Sequence, residues 1–403
     1  MSARRIDLPS PPVPPVPPAP IAADALDAAR MRMRALGLWH EGQHMGQRWA
    51  VGCVALEITQ RCNLDCTLCY LSESSEALHD LPIEEIFRRL QAIRDRYGPG
   101  VDIQITGGEP TLRRRDELVA VVRRARELAL RPALFTNGIR ATRTLLETLC
   151  EAGLVDVAFH VDMTQMRKGY RSEEELNEVR VEYIERARGL PLAVYFNTSV
   201  FDGNLDEIEG IARFFVAHAD VVRLASFQLQ ADTGRGVFER RGTGLDKNAV
   251  IGHIRAGAGA PIRFDAFDFG HPRCSRYAMT LVANGRAHDL LDDPGFARRV
   301  LAASADLPVE RNVPWRTVGG LTLRVLRTPR LVLPALAWTA RKLWRMRGDL
   351  LASRGRAHKL SFFVHDFMDA CALEHDRIEA CIFMVAGADG PISMCLHNAE
   401  RDA

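Results

Sequence analysis

Three cysteines, Cys62, Cys66 and Cys69, fall within eight residues, and Tyr70 directly follows the last of them. Thiolates are soft ligands that hold iron and zinc. Three on one loop suit a cubane of four irons in which one iron has no protein ligand. Such an open position is what a catalytic metal needs and a structural one lacks. A zinc knuckle completed by a distant residue is the competing reading. A second motif, Ile105-Thr-Gly107-Gly108-Glu109-Pro110, combines glycines that let a ligand approach the backbone with a carboxylate that can accept hydrogen bonds from an ammonium group. Polar residues also close the later β-rich runs: Thr136 and Asn137 before Gly138, then His160 and Asp162, then Asn197, Thr198 and Ser199.

Six further cysteines complete the nine. Cys53 and Cys150 sit in apolar settings and read as core. Cys381 and Cys395 bracket Ala388-Asp-Gly390-Pro391, a hairpin turn signal, so their thiols should converge. With Cys274 and Cys371 they could complete a four-cysteine cluster. Cys371 lies in Phe367–Ala380, which reads as a helix with one face in the core.

These residues need a scaffold. Short β-rich runs occur at Val54–Ile58, Val101–Ile105, Pro132–Phe135, Val155–Val161, Leu192–Val200 and Val221–Phe227. Helical stretches such as Ile83–Tyr97 and Asp116–Leu130 lie between them. The alternation predicts right-handed βαβ crossovers and a parallel sheet, hence an α/β fold. Six units are too few to close an eight-stranded barrel. The expectation is a partial (β/α)6 TIM-like barrel over residues 51–230, with its chemistry at the strand C-terminal ends. Around it are placed a disordered proline-rich tail (1–20), a helical lead-in (21–50), and an irregular barrel extension carrying Cys274 (231–300). A basic aromatic helical segment (301–360) and a small C-terminal cysteine-containing auxiliary domain (361–403) complete the division.

The 403 residues are 47% apolar and 26% charged, an ordinary globular composition, and the net charge of +2 gives no reason to expect a nucleic-acid partner. The cysteines are too few and too unevenly spaced for a secreted disulfide framework. No basic N-terminal end leads into a long apolar core, so no secretory signal is expected. The apolar run Leu331–Ala340 covers about half a bilayer and contains Pro334, so no membrane span is expected. The location anticipated is the reducing cytosol, with peripheral contact at the inner face of the membrane as an option.

The cysteine trio resembles the signature of the radical SAM superfamily: Cys-x3-Cys-x2-Cys and an aromatic, in the loop after the first strand of a partial barrel. Gly107-Gly108-Glu109-Pro110 is similar to that superfamily's second-strand motif. The resemblance implies S-adenosylmethionine and a [4Fe-4S] cluster as cofactors, with Cys62, Cys66 and Cys69 on the cluster. Cofactor binding then falls to Tyr70, Gly107, Gly108, Glu109, Thr136, Asn137, Asp162 and Asn197. The tail resembles auxiliary-cluster extensions of the SPASM or twitch type, which implies a second cluster on Cys274, Cys371, Cys381 and Cys395.

A closer resemblance is to the tetraether-lipid synthase-like group. It is carried by Phe227-Gln228, Thr233-Gly234-Arg235, Cys274-Ser275, Phe367-Met368-Asp369, Arg377, Cys381, Asp389-Gly390 and Cys395. The synthases' additional N-terminal metal-binding cysteines are missing here. The implied activity is reductive cleavage of S-adenosylmethionine to a 5′-deoxyadenosyl radical that abstracts hydrogen from an unactivated carbon. The implied substrate is a lipid or isoprenoid, and the implied electron donor a ferredoxin or flavodoxin. Peptide maturation and a non-catalytic iron–sulfur redox role are the alternatives.

Residues 311–360 carry twelve Lys/Arg against one acid, Asp349, and include Trp315, Trp338 and Trp344. Aromatic and basic residues around an apolar centre suit a helix lying in the plane of an anionic membrane. A solvated helical hairpin covering the barrel is the plainer reading.

Overall fold

The structure is a computed structural model that describes residues 23–71, 80–235, 245–311 and 313–401. The proline-rich tail and the Arg241-Gly-Thr-Gly244 stretch lie outside the described residues. In chain order the elements begin with α1 (Ala23–Ala35), β1 (Cys53–Thr59), α2 (Ile83–Tyr97), β2 (Asp102–Gly107), α3 (Arg115–Glu127) and β3 (Arg131–Thr136). Next come α4 (Arg143–Glu151), β4 (Asp156–His160), α5 (Asn177–Ala187), β5 (Ala193–Val200), α6 (Ile208–Ala217) and β6 (Val222–Leu229). They are followed by α7 (Lys247–Ala258), β7 (Ser275–Ala283), β8 (Arg286–Asp289), α8 (Pro294–Ala303), α9 (Pro314–Leu326) and α10 (Pro329–Ala352). The last elements are β9 (His358–Asp366), α11 (His375–Glu379), β10 (Phe383–Gly387), β11 (Gly390–Ser393) and α12 (Met394–Glu400).

All six anticipated strands form and pair in sequence order, parallel throughout. Strands buried on both faces must be apolar nearly throughout, and β1 is buried along its whole length. The crossover helices are amphipathic: α2 buries Ile86, Leu90, Ile93 and Tyr97, one face at helical spacing.

The sheet grows at both edges from C-terminal sequence. β9 adds parallel to β6, and β10 adds parallel to β1, giving the order β11-β10-β1-β2-β3-β4-β5-β6-β9-β7-β8. Among the described residues no ladder closes the ring. Side chains meet across the opening instead, with the Phe383 ring of β10 lying 4.5 Å from His365 and 6.4 Å from Phe363 of β9. Met33, Met45, Phe269 and Ile382 pack into the same seam. β9 was not anticipated, although Leu360-Ser-Phe-Phe-Val364 is a buried, β-prone run.

The strand N-terminal ends are closed by charge. Arg311 donates 2.6 Å and 3.0 Å bonds to Asp102 at the start of β2 and also pairs with Asp156 at the start of β4. Arg131 joins Asp102 from β3 at 2.9 Å. The chain entering α9 is therefore fixed at the end of the sheet opposite the thiol loop. The last turn of α10 is fixed at the same end, where Asp349 meets His288 at 3.0 Å beside the β7–β8 turn.

One expectation fails. Phe367–Ala380 is not a continuous helix; only His375–Glu379 is helical. The backbone N–H of Ala370 donates to Asp232 (2.9 Å), and Asp369 accepts from the Asp232 N–H (2.8 Å). The first of these takes a backbone N–H that a helix would have used internally, and the second ties the Asp369 side chain to the same distant loop.

Candidate active site

β1 ends at Thr59, so the following loop carries Cys62, Cys66 and Cys69 to the C-terminal edge of the sheet. All three are half-buried. Burial pushes the Cys66 thiol well up, and the neighbouring Cys69, Asp162 and Cys62 push it further, as expected of negative groups gathered together. Burial also raises Cys69, but Arg235 and Arg401 oppose the rise. Among the described residues no three His, Cys, Asp or Glu side chains close on a single-ion site. A cubane does not require such convergence, because its cysteines sit on different irons.

Four neighbouring segments fix this loop. The Gly108 N–H donates to the Thr59 carbonyl (2.9 Å), and the Glu109 N–H donates to that of Arg61 (2.8 Å). The Tyr70 hydroxyl donates to the Gly107 carbonyl at 2.8 Å. From β3, the Asn137 side chain donates to Asn63 at 2.7 Å. The Thr67 N–H donates to the Thr164 carbonyl (2.9 Å), and the Arg235 N–H to that of Cys69 (2.8 Å). Arg235 also pairs with Asp65.

Two glycines are obligatory here. At Gly107 (φ +126°) a Cβ would stand 2.0 Å from the Thr59 carbonyl oxygen. At Gly234 (φ +53°) it would stand 2.4 Å from that of Tyr70. The space a Gly107 side chain would need is taken by the backbone of β1.

Glu109 is fully buried and heavily used. One carboxylate oxygen accepts from the Thr111 N–H (3.0 Å), the Thr111 hydroxyl (2.5 Å) and the Thr136 hydroxyl (2.7 Å). Among the described residues the other accepts from the Asn137 N–H alone, at 2.7 Å. The residue therefore ties the end of β2 to the end of β3 and keeps spare acceptor capacity on that second oxygen.

Asp162 is likewise enclosed. It accepts from the Thr164 N–H (3.0 Å) and hydroxyl (2.5 Å), from the Ser199 N–H (2.7 Å), and meets His160 at 2.6 Å. Burial opposes its ionisation, yet His160 and these donors hold it below the usual carboxylate range. Burial lowers His160 in turn, but Asp162 outweighs that and raises it. Asn197 is buried with its carbonyl accepting from the Val161 N–H at 3.2 Å.

The second thiol group is assembled from separate segments. Cys274 precedes β7, Cys381 precedes β10, and Cys395 opens α12. Burial pushes the Cys395 thiol up to about 12, and Cys381 and Cys274 both add to the rise. Arg377 donates to the Cys274 sulfur at 3.3 Å, and the Cys381 thiol donates to the Phe383 carbonyl at 3.0 Å. Cys371 is exposed on the irregular stretch before α11.

Sequence reasoning missed the tie between the tail and the first loop. Arg401 donates to Glu57 of β1 at 2.6 Å, and its guanidinium lies 5.3 Å from the centre of the Tyr70 ring. Burial works against the Glu57 carboxylate, but His397 and Arg401 together hold it down to about 2. Thr233-Gly234-Arg235 did stand out as a motif; its job of clamping the thiol loop had no local signal. Arg377 had none either.

Residues 56–215 match the family model described as the Radical SAM superfamily. This stretch resembles a Radical SAM domain. Its family uses a [4Fe-4S] cluster and S-adenosylmethionine. The chain is 31% identical over 186 residues to the 7,8-dihydro-6-hydroxymethylpterin dimethyltransferase of Methanocaldococcus jannaschii, a match covering 45% of this chain and 36% of that protein. It is 36% identical over 163 residues to a probable GTP 3′,8-cyclase of Pyrococcus abyssi, covering 40% of this chain and 51% of the other. The chain thus spans about a third to a half of the length of these curated relatives. Among solved structures, SuiB of Streptococcus suis bound to S-adenosylmethionine aligns with a TM-score of 0.37 and 15% identity, over 45% of this chain and 41% of that one.

The donor set of this domain fits its cofactors. Three soft donors share one braced loop; burial raises Cys66 and Cys69 as thiols, and Arg235 and Arg401 offset part of that rise at Cys69.

Proposed function

We propose that this protein is a radical enzyme in which Cys62, Cys66 and Cys69 hold the [4Fe-4S] cluster. S-adenosylmethionine would lie across the strand ends at Gly107, Gly108, Glu109, Thr136, Asn137, Asp162 and Asn197, beside Tyr70. Held there and reduced by an external one-electron donor, such a cluster would supply one-electron cleavage of a C–S bond of S-adenosylmethionine, the chemistry that gives methionine and a radical able to take hydrogen from an unactivated carbon. The observation that carries this reading is the grouping of three thiols on the loop after β1, with the ends of β2 and β3 hydrogen-bonded to that loop.

The chain's own residues do the positioning. Glu109 fixes the two strand ends relative to each other, and its less used oxygen is the acceptor offered to the cofactor's ammonium group. Arg235 and Arg401 favour ionised sulfur. The tail, drawn onto β1 by Glu57, covers one side of the loop and keeps water from the reacting groups. Cys274, Cys381 and Cys395 form the core of a second, auxiliary cluster site, with Arg377 donating to one sulfur and Cys371 the remaining candidate ligand.

The substrate class we favour is a lipid or isoprenoid chain met at a membrane surface, with electrons arriving from a ferredoxin or flavodoxin. The support is the exposed apolar and basic surface of α9 and α10. Anaerobic reconstitution with iron and sulfide, followed by reduction in the presence of S-adenosylmethionine, tests the chemistry. Formation of 5′-deoxyadenosine is expected, and its absence from protein with a full iron complement would refute the enzyme reading. Comparison of lipid profiles between a host strain and its deletion mutant tests the substrate class.

A further inference from the structure

We infer that α9 and α10 form an amphipathic hairpin that docks, lying flat, on an anionic lipid bilayer. The inference rests on the proposed function only for a membrane as the place of work; the surface is argued from its own residues. Among the described residues thirteen large apolar side chains are exposed, and nine of them lie on these two helices. On α9, Trp315, Val318, Leu323 and Leu326 fall within an arc of about 140° at 100° per residue. On α10, Leu333, Leu336, Leu343, Trp344 and Leu351 fall within about 100°. The opposite side of α10 is the one that packs inward, through Leu331, Trp338, Lys342 and Met346. The outward faces are therefore apolar by position, and α9 buries no residue at all. Exposure at this scale marks a surface made to be covered.

Charge selects what covers it. Residues 313–356 contain ten Lys/Arg and a single acid, Asp349, which is engaged inward with His288 at 3.0 Å. Five of the ten pair with Asp292, Asp293, Asp306 or Glu310 of flanking segments, and the exposed Arg327, Arg330, Arg347, Arg354 and Arg356 supply the excess positive charge. Arg327 and Arg330 are exposed at the tip of the hairpin, and the Arg347 guanidinium lies 4.1 Å from the centre of the exposed Trp344 ring. Long basic side chains beside apolar ones suit an interface where hydrocarbon meets anionic headgroups. A second copy would bring the same excess of positive charge against itself, an arrangement that opposes association. Because both ends of the hairpin are fixed at the strand N-terminal ends, docking anchors the protein without occluding the thiol loop.

The test is co-sedimentation of the full-length protein with phosphatidylcholine vesicles, with and without phosphatidylglycerol, at low and high salt. The expected result is at least about tenfold stronger binding to anionic vesicles, weakened by salt. A variant carrying Leu333→Glu and Trp344→Glu should lose binding at unchanged circular dichroism. Arg327→Gln with Arg330→Gln should weaken binding without creating an apolar-to-charged clash. Failure of the wild type to bind anionic vesicles, binding unaffected by both variants, or a wild-type dimer that the first variant dissolves would each overturn the assignment. Assay of 5′-deoxyadenosine without vesicles on the same preparations separates the two claims. Cleavage without binding removes the docking surface and leaves the chemistry; binding without cleavage does the reverse.

Discussion

The two thiol groups of this protein are built by opposite strategies. Cys62, Cys66 and Cys69 sit on one loop, so a single strand end places them and four neighbouring segments hold that loop still. Cys274, Cys381 and Cys395 come from segments up to 121 residues apart and meet only because β9 and β10 add to opposite edges of the same sheet. The first group is a local motif braced by the fold. The second is a product of the fold. Changes in the first loop should therefore act on chemistry, whereas changes around the second should act on iron content and on the seam.

The sharpest way to break this comparison is to remove one thiol from each group. Cys66→Ala should reduce 5′-deoxyadenosine formation to background, because no other thiol on the loop can replace the lost ligand. Cys381→Ala should lower bound iron by one cluster while leaving slow, uncoupled cleavage of S-adenosylmethionine intact. Cys371→Ala should change iron content least of the tail cysteines, as its exposure suggests. Equal loss of cleavage from Cys66→Ala and Cys381→Ala would erase the distinction.

A structural variant comes next in size. Gly234→Ala places a methyl 2.4 Å from the Tyr70 carbonyl at a left-handed residue, and should cost about 2–3 kcal/mol in denaturant unfolding while loosening the thiol loop. The most narrowly confined effect, limited to acid pH, concerns the tie between tail and loop. Glu57 has its carboxylate lowered from 4.5 to about 2, so the stability it contributes is complete above pH 4.5 and disappears as pH falls through 2. Glu57→Gln should flatten the acid limb of the stability profile in that window, an effect of about 3 kcal/mol at most. An unchanged acid limb would show that the tail is held by other contacts.

The barrel was readable from sequence because its strands are apolar on both faces and its helices keep a clear period; β1 to β6 needed nothing from elsewhere in the chain. The first thiol loop was readable for the same reason, since three ligands within eight residues are a local pattern. The helix expected at Phe367–Ala380 failed because Ala370 and Asp369 bond to Asp232, a partner 137 residues away from Asp369. Nor could Arg377 beside Cys274, Arg401 on Glu57, or Gly234 against Tyr70 be read locally, because each acquires its role from a distant segment. Long-range bonds of this kind set how the two thiol groups are fixed, while local sequence sets only which residues are offered.

The central claim is that the Cys62–Cys69 loop leaves one iron open to S-adenosylmethionine. Electron paramagnetic resonance of the anaerobically reduced protein, recorded with and without S-adenosylmethionine, tests it most directly. The account predicts a cubane signal whose g values shift when S-adenosylmethionine is added, and the loss of that shift in Cys66→Ala. A signal indifferent to S-adenosylmethionine in the intact protein would contradict it.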